Sequence, residues 1–171
     1  MIMEENIVFS KVLNMIKAHY PILYLTTFEY GRTKQKICGL LDSLKGEVCK
    51  YEWDCVNGLM LMEEQGKIIP ITIDDEPIIE AEMVMKYALF KDKTKKDVFI
   101  LSDFHEHIEE ENIKFYIRTL SEKARYTNTY IIIISAVYRL PLELEKYVTV
   151  VNIPLPDRID LSKTLAHVEK E

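Results

Sequence analysis

Four short stretches hold most of the side chains able to do chemistry, and each directly follows an apolar run that reads as a buried strand. The first is Thr26-Thr27-Phe28-Glu29-Tyr30-Gly31-Arg32-Thr33-Lys34, placed where a nucleoside-triphosphatase carries its phosphate-binding loop. That loop needs several glycines, so that successive backbone N–H groups can wrap the phosphates, and then Lys-Ser/Thr for charge and magnesium. Here a single Gly31 is hemmed by Phe28, Glu29 and Tyr30, and Glu29 repels phosphate. Arg32 and Lys34 are the cations available to contact a nucleotide; otherwise they form the solvated start of a helix. The second stretch, Phe99-Ile100-Leu101-Ser102-Asp103-Phe104-His105, has the apolar run and terminal aspartate of a magnesium-holding strand. Phe104 stands where a hydrolytic enzyme carries its water-activating glutamate. An aspartate that ends a strand also serves turns, so Asp103 has a structural reading as well.

Other constellations are weaker. His105 and His107, with Asp103, could offer three ligands to a metal, but no C-x-x-C or H-E-x-x-H spacing accompanies them. Cys38, Cys49 and Cys55 are odd in number and unpaired in spacing, which fits free thiols rather than a disulfide framework. Ser102 or Ser135 can be combined on paper with His105 and Asp103 as a serine triad. No G-x-S-x-G elbow is present to order it, and Ser135 reads as the polar end of a strand. Lys91, Lys93, Lys95 and Lys96 are broken by Asp92 and Asp97 without interleaved aromatics, the pattern of a solvated loop rather than a nucleic-acid site.

The elements that position these residues follow from periodicity. Val8, Phe9, Val12, Leu13 and Ile16 mark an opening helix ending near His19, before Pro21. Ile22 to Thr27 is a strand buried on both faces. A helix from about Tyr30 to Leu44 carries Ile37, Leu40, Leu41 and Leu44 on one side. Glu47 to Trp53 is a second strand, and Leu59 to Met62 with Ile68 to Ile73 form an inserted β-hairpin. Pro77 is expected in the first turn of a helix, with Ile78, Ala81, Met85, Ala88 and Leu89 facing the core. Val98 to Leu101, Ile131 to Ile134 and Val148 to Val151 complete five core strands. The helix between the third and fourth has an acidic start at Glu109, Glu110 and Glu111 and a basic end at Lys123 and Arg125, as the helix dipole favours. Alternating strands and helices predict a three-layer α/β fold on a mainly parallel five-stranded sheet. The strand beginning at Ile22 is expected at its centre, between the strands ending at Asp103 and Ser135.

Composition narrows the function classes. With 48% hydrophobic residues, 5 Gly and 6 Pro in 171 residues, the chain is expected to form one folded domain spanning residues 1–171. Lys and Arg number 22 against 28 Asp and Glu, a net charge of −6 that disfavours nucleic acid as a partner. An acidic amino terminus and the lack of a bilayer-length apolar run argue against a membrane and for a soluble, cytoplasmic protein.

Taken together, several elements resemble a known family. These are His19 to Glu29, Trp53 with Gly58-Leu59, Ile100 to His105, and Leu140-Pro141-Leu142-Glu143-Leu144-Glu145. Val148 to Val151 and Ile153-Pro154-Leu155-Pro156-Asp157 complete the set. The chain is similar over nearly its whole length to the amino-terminal half of the chloroplast-reading-frame type of AAA+ ATPases, also found in bacteria. The resemblance implies a P-loop-NTPase-like domain that lacks the P-loop and precedes a complete motor; neither lid nor motor is contained in these residues. Ala136 stands near the family's sensor asparagine, and Glu145-Lys146-Tyr147 near its arginine finger. The expected function is therefore a non-catalytic pseudo-ATPase module acting in protein–protein interaction, with itself or an AAA+ motor chain as partner and no cofactor. The alternative is a nucleotide-binding domain that takes ATP and magnesium through Arg32, Lys34 and Asp103. Leu161, Leu165 and Val168, at helical spacing, are expected to dock on the domain itself or on another subunit.

Overall fold

Runs of β-branched and aromatic residues make the strands, and three- and four-residue apolar steps make the helices that cover them. The computed structural model describes residues 2–44, 48–63, 66–91, 95–123 and 126–155. Among them are helices α1 (Ile2–Lys17), α2 (Tyr30–Asp42), α3 (Ala81–Phe90) and α4 (Glu111–Lys123). The strands are β1 (Ile22–Thr26), β2 (Val48–Asp54), β3 (Gly58–Met62), β4 (Ile68–Pro70), β5 (Thr72–Ile73), β6 (Glu76–Pro77), β7 (Lys96–Ser102), β8 (Thr129–Ser135) and β9 (Thr149–Asn152). Short 3₁₀ turns lie at Phe104–Glu106 and Leu142–Leu144.

The main sheet has the order β4-β3-β2-β7-β8-β1-β9. Five of its strands, β2, β7, β8, β1 and β9, run parallel. The β3–β4 hairpin is antiparallel and extends the sheet beyond β2. This is the expected α/β architecture of five parallel strands with an inserted hairpin; a two-stranded ribbon, β5–β6, stands apart. Side chains alternate between two cores. Leu23, Leu25, Ile100, Ile132 and Ile134 meet Phe9, Val12 and Ile16 of α1 and Ile37 and Leu41 of α2. Tyr24, Phe99, Leu101, Ile131 and Ile133 meet Val84 and Met85 of α3 and Ile113 and Ile117 of α4. The result is three layers, helices on each side of the sheet.

Two expectations need correction. β1 is not flanked by β7: it lies between β8 and β9, while β7 lies between β2 and β8. All seven residues of β8 are buried, and such a strand needs a strand on either side and helices over both faces. β8 therefore takes the inner position. Pro77 is also not in a helical turn. It pairs with Thr72 in the β5–β6 ribbon, and α3 begins four residues later, after Glu80 in an extended conformation. A proline φ suits the edge of a short ribbon as well as it suits a helix start. In the helix before β8, Glu111 occupies the first turn and Lys123 the last; Glu109 and Glu110 precede it, and Arg125 lies outside the described residues.

The ribbon is stitched to β3 by backbone bonds: Leu59 N–H donates to Ile78 O at 2.8 Å, and Ile71 N–H to Leu59 O at 2.8 Å. Gly58, at the start of β3, has φ +75, and a Cβ there would come within 2.7 Å of Ile78 O. Gly39, inside α2, has nothing within 4 Å of its would-be Cβ. Two alanine substitutions should therefore have opposite signs. Gly58→Ala is expected to cost more than about 1 kcal/mol in urea unfolding, while Gly39→Ala is expected to stabilise by about 0.5–1 kcal/mol.

Candidate functional site

The five parallel strands point their carboxyl ends to one edge, the place where ligands gather in open α/β sheets. Backbone bonds hold three of these ends in register: Thr27 N–H donates to Ser135 O, and Ile153 N–H to Thr26 O, both at 2.9 Å. Asp103 N–H donates to Ile134 O at 3.0 Å, which ties the end of β7 to β8.

At β1, only Thr27, Phe28 and Glu29 separate the strand from α2. Thr27 Oγ1 accepts the Glu29 N–H at 3.0 Å, a local turn that fixes this link. Glu29 is the N-cap residue of α2, yet its side chain makes no capping bond. Of the cations expected to meet phosphate, Lys34 lies 2.6 Å from Glu52 Oε1 on β2, and Arg32 is half-buried on α2. The Tyr30 hydroxyl reaches the same Glu52 oxygen at 3.4 Å. Burial, with the carboxylate nearby, pushes the Tyr30 hydroxyl up to about 12.

Asp103 sits just past β7 in the left-handed region, φ +48, with its carboxylate exposed. Aspartate is one of the few side chains that tolerate that backbone, so the geometry of the turn accounts for the residue type. Phe104 beside it is buried and packs edge-on against Trp53 at 5.4 Å.

Asp103, His105 and His107 do not converge. His105 is buried, and its Nδ1 lies 2.7 Å from Ser135 Oγ and 3.9 Å from Asp103 Oδ1. Glu106 Oε1 is 2.9 Å from His105 Nε2. His107 turns away to Glu110, at 2.8 Å, and to the ring of Trp53. Among the described residues no three His, Cys, Asp or Glu side chains gather as a metal site. The cysteines are free; Cys38 and Cys49 are half-buried and Cys55 exposed.

The line Glu106–His105–Ser135 has the connectivity of a serine triad, with glutamate where the sequence suggested aspartate. The Ser135 hydroxyl donates to Val137 O at 3.1 Å, and its oxygen also lies within hydrogen-bond distance of His105 Nδ1. Ser135 is only 1% exposed, and its oxygen already accepts the Val137 N–H at 3.1 Å. A nucleophile needs room for a carbonyl beside it, so the trio is better described as a clamp between the ends of β7 and β8. Tyr24 adds to it: its hydroxyl donates to Val137 O at 2.5 Å and accepts Arg139 N–H at 3.3 Å. Sequence spacing does not order this cluster, because Ser135 and Tyr24 come from strands separate from the turn that carries His105 and Glu106. Leu161, Leu165 and Val168 lie outside the described residues.

Residues 9–153 match the family described as SpoVK-like AAA ATPase, N-terminal domain. The chain is 26% identical over 157 residues to an uncharacterized AAA domain-containing protein ycf46 of Guillardia theta, covering 91% of this chain and 29% of that protein. It is 24% identical over 156 residues to the protein of the same description in Pyropia yezoensis, covering 91% and 30%. The chain thus spans about 30% of the length of these relatives. Among solved structures, C. elegans PCH-2 shares the fold with a TM-score of 0.50 at 11% identity, over 97% of this chain and 48% of that one.

Two measurements follow from the clamp and the buried phenols. Ser135→Ala should destabilise the fold by about 1–3 kcal/mol, since His105 Nδ1 and the Val137 N–H lose their buried partner. Burial also pushes Tyr51 up to about 12. Between pH 10 and about 12 the unfolded chain therefore releases tyrosine protons that the folded chain keeps, so stability falls as pH rises through that window. The urea midpoint should drop there, and Tyr51→Phe should lessen the drop.

Proposed function

Because the chain belongs to the family of SpoVK-like AAA ATPase N-terminal domains, we propose that it is a non-catalytic, ATPase-like module that works by binding protein. Its partner is the motor chain of an AAA+ ATPase or a second copy of itself. The observation that carries this reading is the three-residue link from β1 to α2. A P-loop sets G-x-x-x-x-G-K-S/T between strand and helix, so that a run of glycine N–H groups surrounds the phosphates. Thr27, Phe28 and Glu29 offer neither the length nor the glycines, and Phe28 projects into solvent where phosphate would sit.

The other parts of a hydrolytic site fit no better. Lys34 is engaged by Glu52. Glu29 sets a carboxylate at the helix start, where an anion would otherwise be welcome. Phe104 is committed to the core instead of activating water. On these grounds the residues present do not fit ATP and magnesium, and they supply no phosphoryl-transfer step. Loss of phosphate cradling, water activation and transition-state charge together leaves the fold free for recognition, and the carboxyl edge, where Phe28, Val137 and Tyr138 are exposed among the described residues, is the natural surface for it.

Titration calorimetry with magnesium-ATP tests the reading. The expected outcome is no saturable heat, and no hydrolysis above background. A micromolar dissociation constant that disappears in Asp103→Ala would overturn it in favour of a nucleotide-binding domain.

A further inference from the structure

Three exposed apolar side chains mark the carboxyl edge among the described residues: Phe28 just past β1, 79% exposed, and Val137 and Tyr138 just past β8. Their footing is fixed. The Thr27 N–H bond to Ser135 O ties the ends of β1 and β8, the Tyr24 hydroxyl holds Val137 O, and the Tyr138 ring packs edge-on against Tyr24 at 5.9 Å. Beside them stand two carboxylates that the fold leaves in water. Asp103 and Glu106 flank the imidazole of His105, at 3.9 Å from Nδ1 and 2.9 Å from Nε2, and their side chains are 68% and 63% exposed. Glu29, next to Phe28, adds a third carboxylate that makes no capping bond to its helix. Arg139 reaches Glu106, at 3.5 Å, but among the described residues the sole ion-pair candidate of Asp103 is the His105 imidazole.

We propose, on the reading of this chain as a protein-binding module, that the segment this edge receives is cationic: an apolar stretch of a partner chain whose arginine pairs with Asp103 and Glu106 while its apolar side chains cover Phe28 and Val137. An apolar centre beside exposed carboxylates selects its partner by charge, because opposite charge steers the encounter and like charge is penalised. An acidic segment meets the same repulsion here as a phosphate does. Arginine suits the site better than lysine: its planar fork meets a carboxylate through two parallel bonds, it sheds water more readily, and its face stacks on a ring such as that of Tyr138. The left-handed backbone at Asp103, φ +48, and its N–H bond to Ile134 O fix the base of that carboxylate. Little freedom is then lost when the pair forms.

The probes are three blocked peptides, Trp-Leu-X-Leu-X with X as arginine, citrulline or glutamate, titrated into the ¹⁵N-labelled full chain. Citrulline keeps the shape of arginine and drops its charge. The arginine peptide should move the amides of Phe28, Asp103, Val137 and Tyr138 saturably, binding at least about fivefold more tightly than the citrulline peptide at low salt, with a smaller margin at high salt. Asp103→Asn is the most direct variant, because asparagine accepts the same left-handed backbone. It should weaken the arginine peptide by about threefold and leave the citrulline peptide unchanged. Equal affinities for the arginine and citrulline peptides, or a preference for the glutamate peptide, would overturn the cationic chemistry while leaving the edge a protein-binding surface. No shift at those amides with any peptide would overturn both, and neither result depends on the nucleotide titration that tests the lack of ATP binding.

Discussion

Seven successive buried side chains in β8 set the terms for everything around them. A strand with no wet face must be sandwiched, and each of its fully buried isoleucines favours the sandwich by about 1.5–3 kcal/mol. Helices α1 and α2 therefore close one face and α3 and α4 the other. Parallel neighbours follow from the crossover helices, and with parallel strands every carboxyl end arrives at the same edge. The chemistry-bearing residues are together at that edge because of a packing requirement, whatever they do there.

The edge itself is held by polar bonds that the sandwich makes effective. His105, Ser135 and Tyr24 are shielded from water, so their hydrogen bonds are costly to break without replacement. They fix the turns after β7 and β8 and hold Val137 in place beside Tyr138. The link after β1 is three residues long. A short link brings α2 up against the sheet, with Thr33 and Ile37 buried. Phe28 in that link is exposed.

Much of this fold was legible in the sequence, for identifiable reasons. The apolar runs ending at Thr26, Ser102 and Ser135 are strong strand signals because burial on both faces leaves no polar alternation. Strand order was not legible: Ile22 to Leu25 and Ile131 to Ile134 are equally apolar, and only pairing tells which is more central. Pro77 is ambiguous because its fixed φ serves a ribbon and a helix start alike. At the site, Asp103, Arg32 and Lys34 stand out by type and position, but the surroundings of Lys34 and Asp103 depend on Glu52 and on a left-handed turn, neither of which has a local signature. The Glu106–His105–Ser135 clamp bridges 30 residues of sequence, and only the tertiary fold brings it together.

The central claim is that the link from β1 to α2 offers no seat for a triphosphate, and backbone amide shifts at that link report on it directly. In ¹⁵N-correlated spectra of the labelled chain titrated with magnesium and a non-hydrolysable ATP analogue, the amides of Thr27, Phe28, Glu29, Tyr30 and Gly31 are predicted to stay in place, as is that of Asp103. Saturable shifts centred on Phe28 to Gly31, lost when magnesium is withdrawn, would contradict the account.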